Sequence, residues 1–232
     1  MEYLINTFFN KIFIINLDDR KDRWQQCLDL FKKYNITNYE RFSAISPIYK
    51  DIPKNYYNNL IVNQTEWYVT GAVGCKLSHY NIIKIAKDRN YDNFLVLEDD
   101  FTIEESIDDF HQKMNNVIKL LIEKQNNNIN SDEIKNWDML YLGGNNLDKP
   151  IQIYNCIHKA LKINTTHAYA MNKSIYQKCL DDMLICGTEV DDFYKTHIQK
   201  KHNVLCIYPS LMKQRESVSD IFKGSVMKYN FD

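Results

Sequence analysis

Several things are missing from this sequence. Its six cysteines (Cys27, Cys75, Cys156, Cys179, Cys186 and Cys206) form no CxxC pair, and several fall in apolar stretches. Neither a zinc site nor a redox dithiol is therefore expected; reduced, mostly buried thiols in a cytoplasmic protein are. No apolar run reaches about 18 residues, so no membrane-spanning helix is expected. The N-terminus, MEYLINTFFNKIFIINLDD, carries an acid at Glu2 and polar breaks at Asn6, Asn10 and Lys11. It lacks the basic start, unbroken apolar run and small-residue cleavage site of a signal peptide. There is no basic excess either. Lys and Arg number 29, Asp and Glu 30, and the net charge is -1, which gives no pointer to nucleic acid. No internal repeat and no clear linker divides the chain. Glycine (6) and proline (4) are scarce, so the position of each is informative.

What is present is apolar and aromatic. Of the 232 residues 44% are hydrophobic, with 16 Tyr and 11 Phe, enough for one globular domain with a sizeable core. KIFIINL (Lys11 to Leu17) is a β-branched apolar run of the kind that forms a buried strand. RKDRWQQCLDLFKKY then places Trp24, Cys27, Leu28 and Phe31 at helical spacing. YERFSAI, NFLVLEDD and WDMLYLGG read as further strands, the last ending in its two glycines. GAVGCKLSHYNIIKIAKDR reads as a helix that follows a glycine turn, and SIDDFHQKMNNVIKLLIEK as another helix running into the polar loop QNNNINSDE. Residues 46–64, with Pro47, Pro53 and clustered Tyr and Asn, read as a long loop. Past Pro150 come the short strands IQIYNCI and THAYAMN, the helices KSIYQKCLDDMLI and EVDDFYKTHIQKK, and the strand NVLCIYP, before a polar, irregular tail. Alternating strands and helices predict a single α/β domain with a mostly parallel central sheet flanked by helices.

In such sheets ligands collect beyond the carboxyl ends of the strands. FLVLEDD sends Glu98, Asp99 and Asp100 there, IFIINLDDR sends Asp18, Asp19 and Arg20, and MLYLGG sends Gly143 and Gly144. Three adjacent acids repel one another, and a hard cation such as Mg²⁺ or Mn²⁺, held by carboxylates and phosphate oxygens, would offset them. Helix capping with the remaining acids in water explains the same pattern. GAVG could present backbone N–H groups to a substrate or serve close packing. His79 and His167 each read as a hydrogen-bonding structural histidine before a catalyst. Asp191 and Asp192 suit a helix N-terminus and equally a general base.

Taken in order, IFIINLDDRKDRW, ERFSAI, GAVGCKLSHYNIIKIA, FLVLEDDF, WDMLYLGG, HAYAMNKSIYQKCL, EVDDFY and YPSLMKQRESVSDI resemble glycosyltransferase family 25, over most of residues 11 to 222. The resemblance implies a GT-A-like fold, a nucleotide-half over about 1–145 and an acceptor half over about 146–232, as a bare catalytic domain spanning 1–232. It implies a UDP-hexose donor, with galactose or glucose as the sugar, Mn²⁺ or Mg²⁺ assistance, inversion, and a glycan or protein hydroxyl as acceptor. Asn16, Leu17, Arg20 and Arg23 match the motif near the nucleotide. Gly74, Cys75, Ser78 and His79 match the helix that borders the donor. Glu98 and Asp100 stand where metal-binding acids belong, with Asp99 between them. Asp191, with Asp192 as second candidate, matches the acceptor-side acid. Ser219 and Asp220 match an element placed to close over the diphosphate. YLGG departs from versions with a basic residue after the glycines. Two rival readings are a metal-dependent nucleotidyltransferase and a non-catalytic sugar- or protein-binding module; the oligomeric state is left open.

Overall fold

The structure is a computed structural model that describes residues 3–61, 65–122, 134, 136–221 and 226–227. Its centre is an eight-stranded sheet. The strands are β1 (Ile12–Asn16), β2 (Tyr39–Ser43), β3 (Asn93–Glu98), β5 (Met139–Asn146), β6 (Ile151–Tyr154), β7 (Ile157–Lys159), β8 (Ile163–Asn172) and β9 (Val204–Ile207), in the order β2-β1-β3-β8-β5-β9-β7-β6. A two-residue strand, β4 (Phe101–Thr102), pairs instead with β10 (Lys213–Gln214). The sheet is mixed. β1 runs parallel to β2 and β3, and β5 to β9, whereas β8 is antiparallel to both its neighbours and β7 to both of its own. All the strands except β7 and β8 therefore point the same way, which keeps the predicted parallel character.

Alternation along each strand divides the core. Ile12, Ile14, Leu95, Leu97, Leu140 and Leu142 face one side, against α2 (Lys21–Lys33) and α4 (Ile107–Ile122), which follow the short α1 (Ile5–Phe8). Phe13, Phe94, Val96, Met139 and Tyr141 face the other, against α3 (Glu66–Asp88) and α5 (Tyr176–Asp182). Helices on both faces explain why β1 and β3 read as unbroken apolar runs rather than alternating ones. Each fully buried side chain of this size contributes roughly 1.5–3 kcal/mol.

Three local expectations are corrected. GAVG is not a turn before a helix. α3 starts at Glu66, capped by the Thr65 side chain, which accepts from the Tyr68 N–H, and Gly71 and Gly74 lie inside it. A Cβ on Gly74 would sit 2.3 Å from the Ile45 carbonyl oxygen, so the glycine allows the chain after β2 to cross the helix closely. YLGG does not end its strand, because β5 continues to Asn146. A Cβ on Gly143 would stand 1.9 Å from the Met212 carbonyl oxygen. The tail, expected to be irregular, supplies β10 and the pair β11 (Ser217–Val218) with β12 (Val226–Met227). EVDDFYKTHIQKK begins as α6 (Val190–Phe193) and continues as a π-helix over Tyr194–Ile198. The loop QNNNINSDE lies outside the described residues.

Residues 46–61 form a loop with 3-10 turns at Tyr49–Asp51 and Lys54–Tyr56 that packs on α3 through Ile52, Leu60, Tyr68, Val69 and Val73. Lys76 of α3 is fully buried and donates to the Tyr56 and Thr188 carbonyls, both at 2.6 Å, tying this loop to the segment that leads into α6. Burial pushes its pKa down. All six cysteines are free thiols and none is exposed, and among the described residues no helix is long and apolar enough to cross a membrane.

Candidate active site

The carboxyl ends of β1, β3 and β5 share one edge of the sheet, and the antiparallel β8 brings its amino end, Asn164 to Thr166, to the same place. A cavity of about 900 Å³ opens there, large enough for a nucleotide sugar. The strand-end acids, the first turn of α6 and the tail around Ser219 and Asp220 line it together.

The three acids of FLVLEDD meet three different environments. Asp99 is answered by cation and amide: Arg23 donates to Oδ1 at 2.8 Å and the Asn16 side chain to Oδ2 at 2.7 Å. Burial pushes its pKa up, and those two partners pull against it. Glu98 accepts from Thr166 Oγ1 at 2.6 Å, and its Oε1 lies 3.2 Å from His79 Nε2. Burial opposes its charge most strongly, yet the bonds to His79 and Thr166 hold its pKa below the usual value. Asp100 is the outlier. It is 8% exposed, its Oδ2 accepts from the Gln214 side chain at 2.9 Å, and its Oδ1 is buried with no hydrogen-bond partner among the described residues. Burial first, and the charge of Glu98 second, push its carboxyl up to about 7. A buried carboxylate oxygen left unpaired is costly unless something positive binds it. An all-oxygen donor set of this kind, at the edge of a cavity, fits a hard divalent cation.

Around this floor stands a wall of paired charge. Arg20 donates to both oxygens of Asp220 and to Asp22, and Arg23 lies 3.4 Å from Asp220 and donates to Ser217. Arg41 holds Asp18 at 2.7 Å. Leu17 lines the cavity from the turn that its carbonyl closes with the Arg20 N–H. Ser219 lines it from the tail. On the far side, Asp192 pairs with Lys195 at 3.0 Å, whereas Asp191 accepts the Asp192 N–H, and burial pushes its pKa up.

The fold thus gathers Leu17, Arg23, Ser78, Glu98, Asp99, Asp100, Asp191, Asp192, Ser219 and Asp220 around one cavity. Four predicted residues, Asn16, Arg20, Gly74 and His79, are not part of its lining. Gly74 serves the close crossing at Ile45, and His79 is fully buried, with Nδ1 2.8 Å from the Tyr169 hydroxyl. Ser78 does both jobs: it lines the cavity, and its hydroxyl accepts from the Ile45 N–H while donating to the Gly74 carbonyl. Arg20 and Asn16 act through their partners, Asp220 and Asp99. His167 is a structural histidine, as expected: Nε2 meets the Met212 carbonyl, and burial lowers its pKa to about 4. Sequence reasoning missed Thr166, Gln214 and Glu189. Asn164-Thr165-Thr166 is a polar triplet opening an otherwise apolar strand, and that was a usable signal for Thr166. Thr165 holds φ +69°, rare for a β-branched residue, directly before the residue that binds Glu98.

Comparison with known proteins identifies the family. The family profile described as "Glycosyltransferase family 25 (LPS biosynthesis protein)" matches residues 9–194. Human procollagen galactosyltransferase 2 is 28% identical over 151 residues, covering 58% of this chain and 21% of that protein. Putative glycosyltransferase R655 of Acanthamoeba polyphaga mimivirus is 32% identical over 121 residues, covering 50% of this chain and 35% of that protein. The alignments thus span well under half of the relatives' own length. Among solved structures, A197 from STIV (TM-score 0.44, covering 90% of this chain and 85% of that one) and a glycosyltransferase involved in glycosylating the PBCV-1 major capsid (TM-score 0.40, covering 90% and 94%) are each 11% identical. With the profile matched across both the acids of β3 and the start of α6, the chain belongs to glycosyltransferase family 25.

Proposed function

We propose that this glycosyltransferase moves a hexose, galactose or glucose, from a UDP-sugar to a glycan or protein hydroxyl, with inversion at the anomeric carbon. The observation that carries the reading is Asp100 Oδ1: a buried carboxylate oxygen, without a hydrogen bond among the described residues, on the floor of a cavity of nucleotide-sugar size. Asp100, with Glu98 beside it, would hold Mn²⁺ or Mg²⁺, which when bound supplies Lewis-acid stabilisation to the departing diphosphate. Asp99 is committed to Arg23 and Asn16, and its part is to fix that arginine at the cavity. Arg20 and Arg23 would lend positive charge to the nucleotide side. Galactose is favoured by the relatives named galactosyltransferases.

Asp191 is the better general base of its pair. Among the described residues its carboxyl carries no direct cation contact, and its raised pKa moves it toward the working pH, where a base takes a proton most usefully. Asp192 is held by Lys195 and positions the helix start. The acceptor oxygen attacks the anomeric carbon as its proton passes to the Asp191 carboxylate, and the bond from that carbon to the phosphate oxygen breaks with UDP leaving.

Calorimetric titration of UDP, with and without Mn²⁺, tests the donor half on wild type and Asp100→Asn. Mn²⁺-dependent binding that disappears in the variant is expected. Equal binding by both proteins removes the metal assignment, and no binding under any condition removes the nucleotide donor. Asp191→Asn should retain that binding while losing transfer by about 10²–10⁴-fold. If Asp192→Asn shows the larger loss, the two roles are reversed.

A further inference from the structure

The sequence lacks paired cysteines, yet the fold builds a mixed-donor cluster from residues that are far apart in the chain. Cys75 and His79 are one helical turn apart on α3, and Glu98 ends β3 opposite them. The Cys75 Sγ, a His79 ring nitrogen and a Glu98 carboxylate oxygen all lie within 4.8 Å of one another. We propose that Cys75, His79 and Glu98 form a binding site for a soft divalent cation of the zinc class, which shares Glu98 with the oxygen site at Asp100.

Three features support it. First, sulfur, imidazole and carboxylate are the donor types that zinc takes, whereas Mn²⁺ and Mg²⁺ prefer oxygen. Around a tetrahedral ion with such ligands the donor atoms stand about 3.3–3.6 Å apart. His79 Nε2 and Glu98 Oε1 are already 3.2 Å apart, and the Cys75 Sγ lies within 4.8 Å of a donor atom of each residue. Second, the outer partners of two ligands are in place. His79 Nδ1 lies 2.8 Å from the Tyr169 hydroxyl, itself 2.9 Å from that of Tyr194, and Thr166 donates to Glu98. Such contacts fix the tautomer and orientation of a ligating imidazole and carboxylate. Third, the cluster is accessible on one side: Cys75 and Glu98 line the cavity while His79 closes it from behind. Three protein ligands with a fourth position toward solvent is the arrangement of an open zinc site.

Binding balances simply. The cation takes the Cys75 sulfur as thiolate, the Glu98 carboxylate, and the Nε2 of a neutral His79 whose proton then rests on Nδ1, facing Tyr169. One proton, from the thiol, leaves to solvent for each ion bound. An ion seated there also takes Glu98 away from Asp100. A zinc-class ion would therefore antagonise Mn²⁺-dependent transfer, a consequence that rests on the function proposed above; the binding itself does not.

Cd²⁺ is the probe, because a cadmium–thiolate bond absorbs in the near ultraviolet. The purified protein, stripped with chelator, is titrated with Cd²⁺ while absorbance and proton release are followed. Wild type should develop the thiolate band at one equivalent and release one proton. Cys75→Ser should show neither, and Cys186→Ser, which leaves the cluster intact, should match wild type. Thr166→Val should weaken the site by about 10-fold. Circular dichroism confirms that each variant is folded, and Cys75→Ala stands in if the serine variant is not. The proposal is overturned if wild type develops no band, if the band survives in both folded Cys75 variants, or if Cys186→Ser loses it equally. Failure of the separate UDP titration counts against the donor reading and leaves this result standing.

Discussion

Asp99 and Asp100 are neighbours in the chain, equally buried, and opposite in circumstance. Asp99 belongs to the cavity's wall, where each acid meets an arginine: Asp18 with Arg41, Asp99 with Arg23, and Asp220 with Arg20. Asp100 belongs to the floor with Glu98 and Asp191, where, among the described residues, the one arginine or lysine contact to a carboxylate within 4 Å is Arg23 to Asp100, at 3.8 Å. The wall is complete as the protein stands. The floor holds negative charge that costs stability and gains it back only when something binds. Protein regions organised for binding are often of the second kind, since unpaired buried charge is tolerated where function needs it.

The largest effect should come from the floor. Asp100→Asn removes the buried charge and the oxygen that a cation would take. Transfer should fall below detection, because Lewis-acid assistance contributes several kcal/mol, while the melting temperature of metal-free protein stays the same or rises. A variant that loses activity and melts much earlier would make Asp100 a structural acid like Asp99. Next in size is the wall. Arg23→Met strands Asp99 in a buried site, and breaking one partner of a buried pair costs about 3–5 kcal/mol. Denaturant unfolding should show that loss, and the double change Arg23→Met with Asp99→Leu should recover much of it. If the single change costs less than about 1 kcal/mol, the wall is not the paired structure its distances describe.

The two regions also differ in pH response. The native Asp100 carboxyl titrates near 7, against 3.8 as its ordinary value. Between those values the native state keeps a proton that the unfolded chain has released, so stability falls as pH rises and levels off above about 7. Asp99 and Asp191, also raised by burial, add in the same direction, and Glu98, held below its ordinary value, opposes them. Metal-free protein should therefore lose on the order of a few kcal/mol from pH 4 to 7. Asp100→Asn should flatten that curve, and a wild-type curve that rises through this range would overturn the assignment.

How much of this was legible beforehand follows from range. β1 and β3 could be read because burial on both faces leaves a plain apolar run, and the acids that follow them could be placed at a sheet edge from chain order alone. α3 could not be bounded, because two glycines four positions or fewer apart resemble a turn. Their reason, the crossing of Ile45 and the packing of Ile221, lies elsewhere in the chain. The same limit hid the division of labour among Glu98, Asp99 and Asp100. It depends on Arg23, Thr166 and Gln214, which are 76, 68 and 114 residues from the acids they meet. Local pattern registers three carboxylates; only the folded chain shows which one keeps an oxygen without a hydrogen bond among the described residues.

The smallest expected effect lies where the wall reaches solvent. Arg20 bonds Asp220 from a side chain 23% exposed, and Asp220 is 36% exposed. Exposed pairs contribute about 0–1 kcal/mol, so Arg20→Ala should barely move the unfolding midpoint, in contrast to Arg23→Met. Its consequence should be local. Asp220 precedes Ile221, whose carbonyl accepts from the Trp67 indole and whose side chain rests against Gly71 of α3. With Arg20 gone, hydrogen exchange should quicken at the amides of Ser219 to Ile221 and remain unchanged in β1 and β3. Faster exchange in the strands as well would mean that the arginine wall is one cooperative unit; no change at the tail would mean that Ile221 and Arg23 hold it without Arg20.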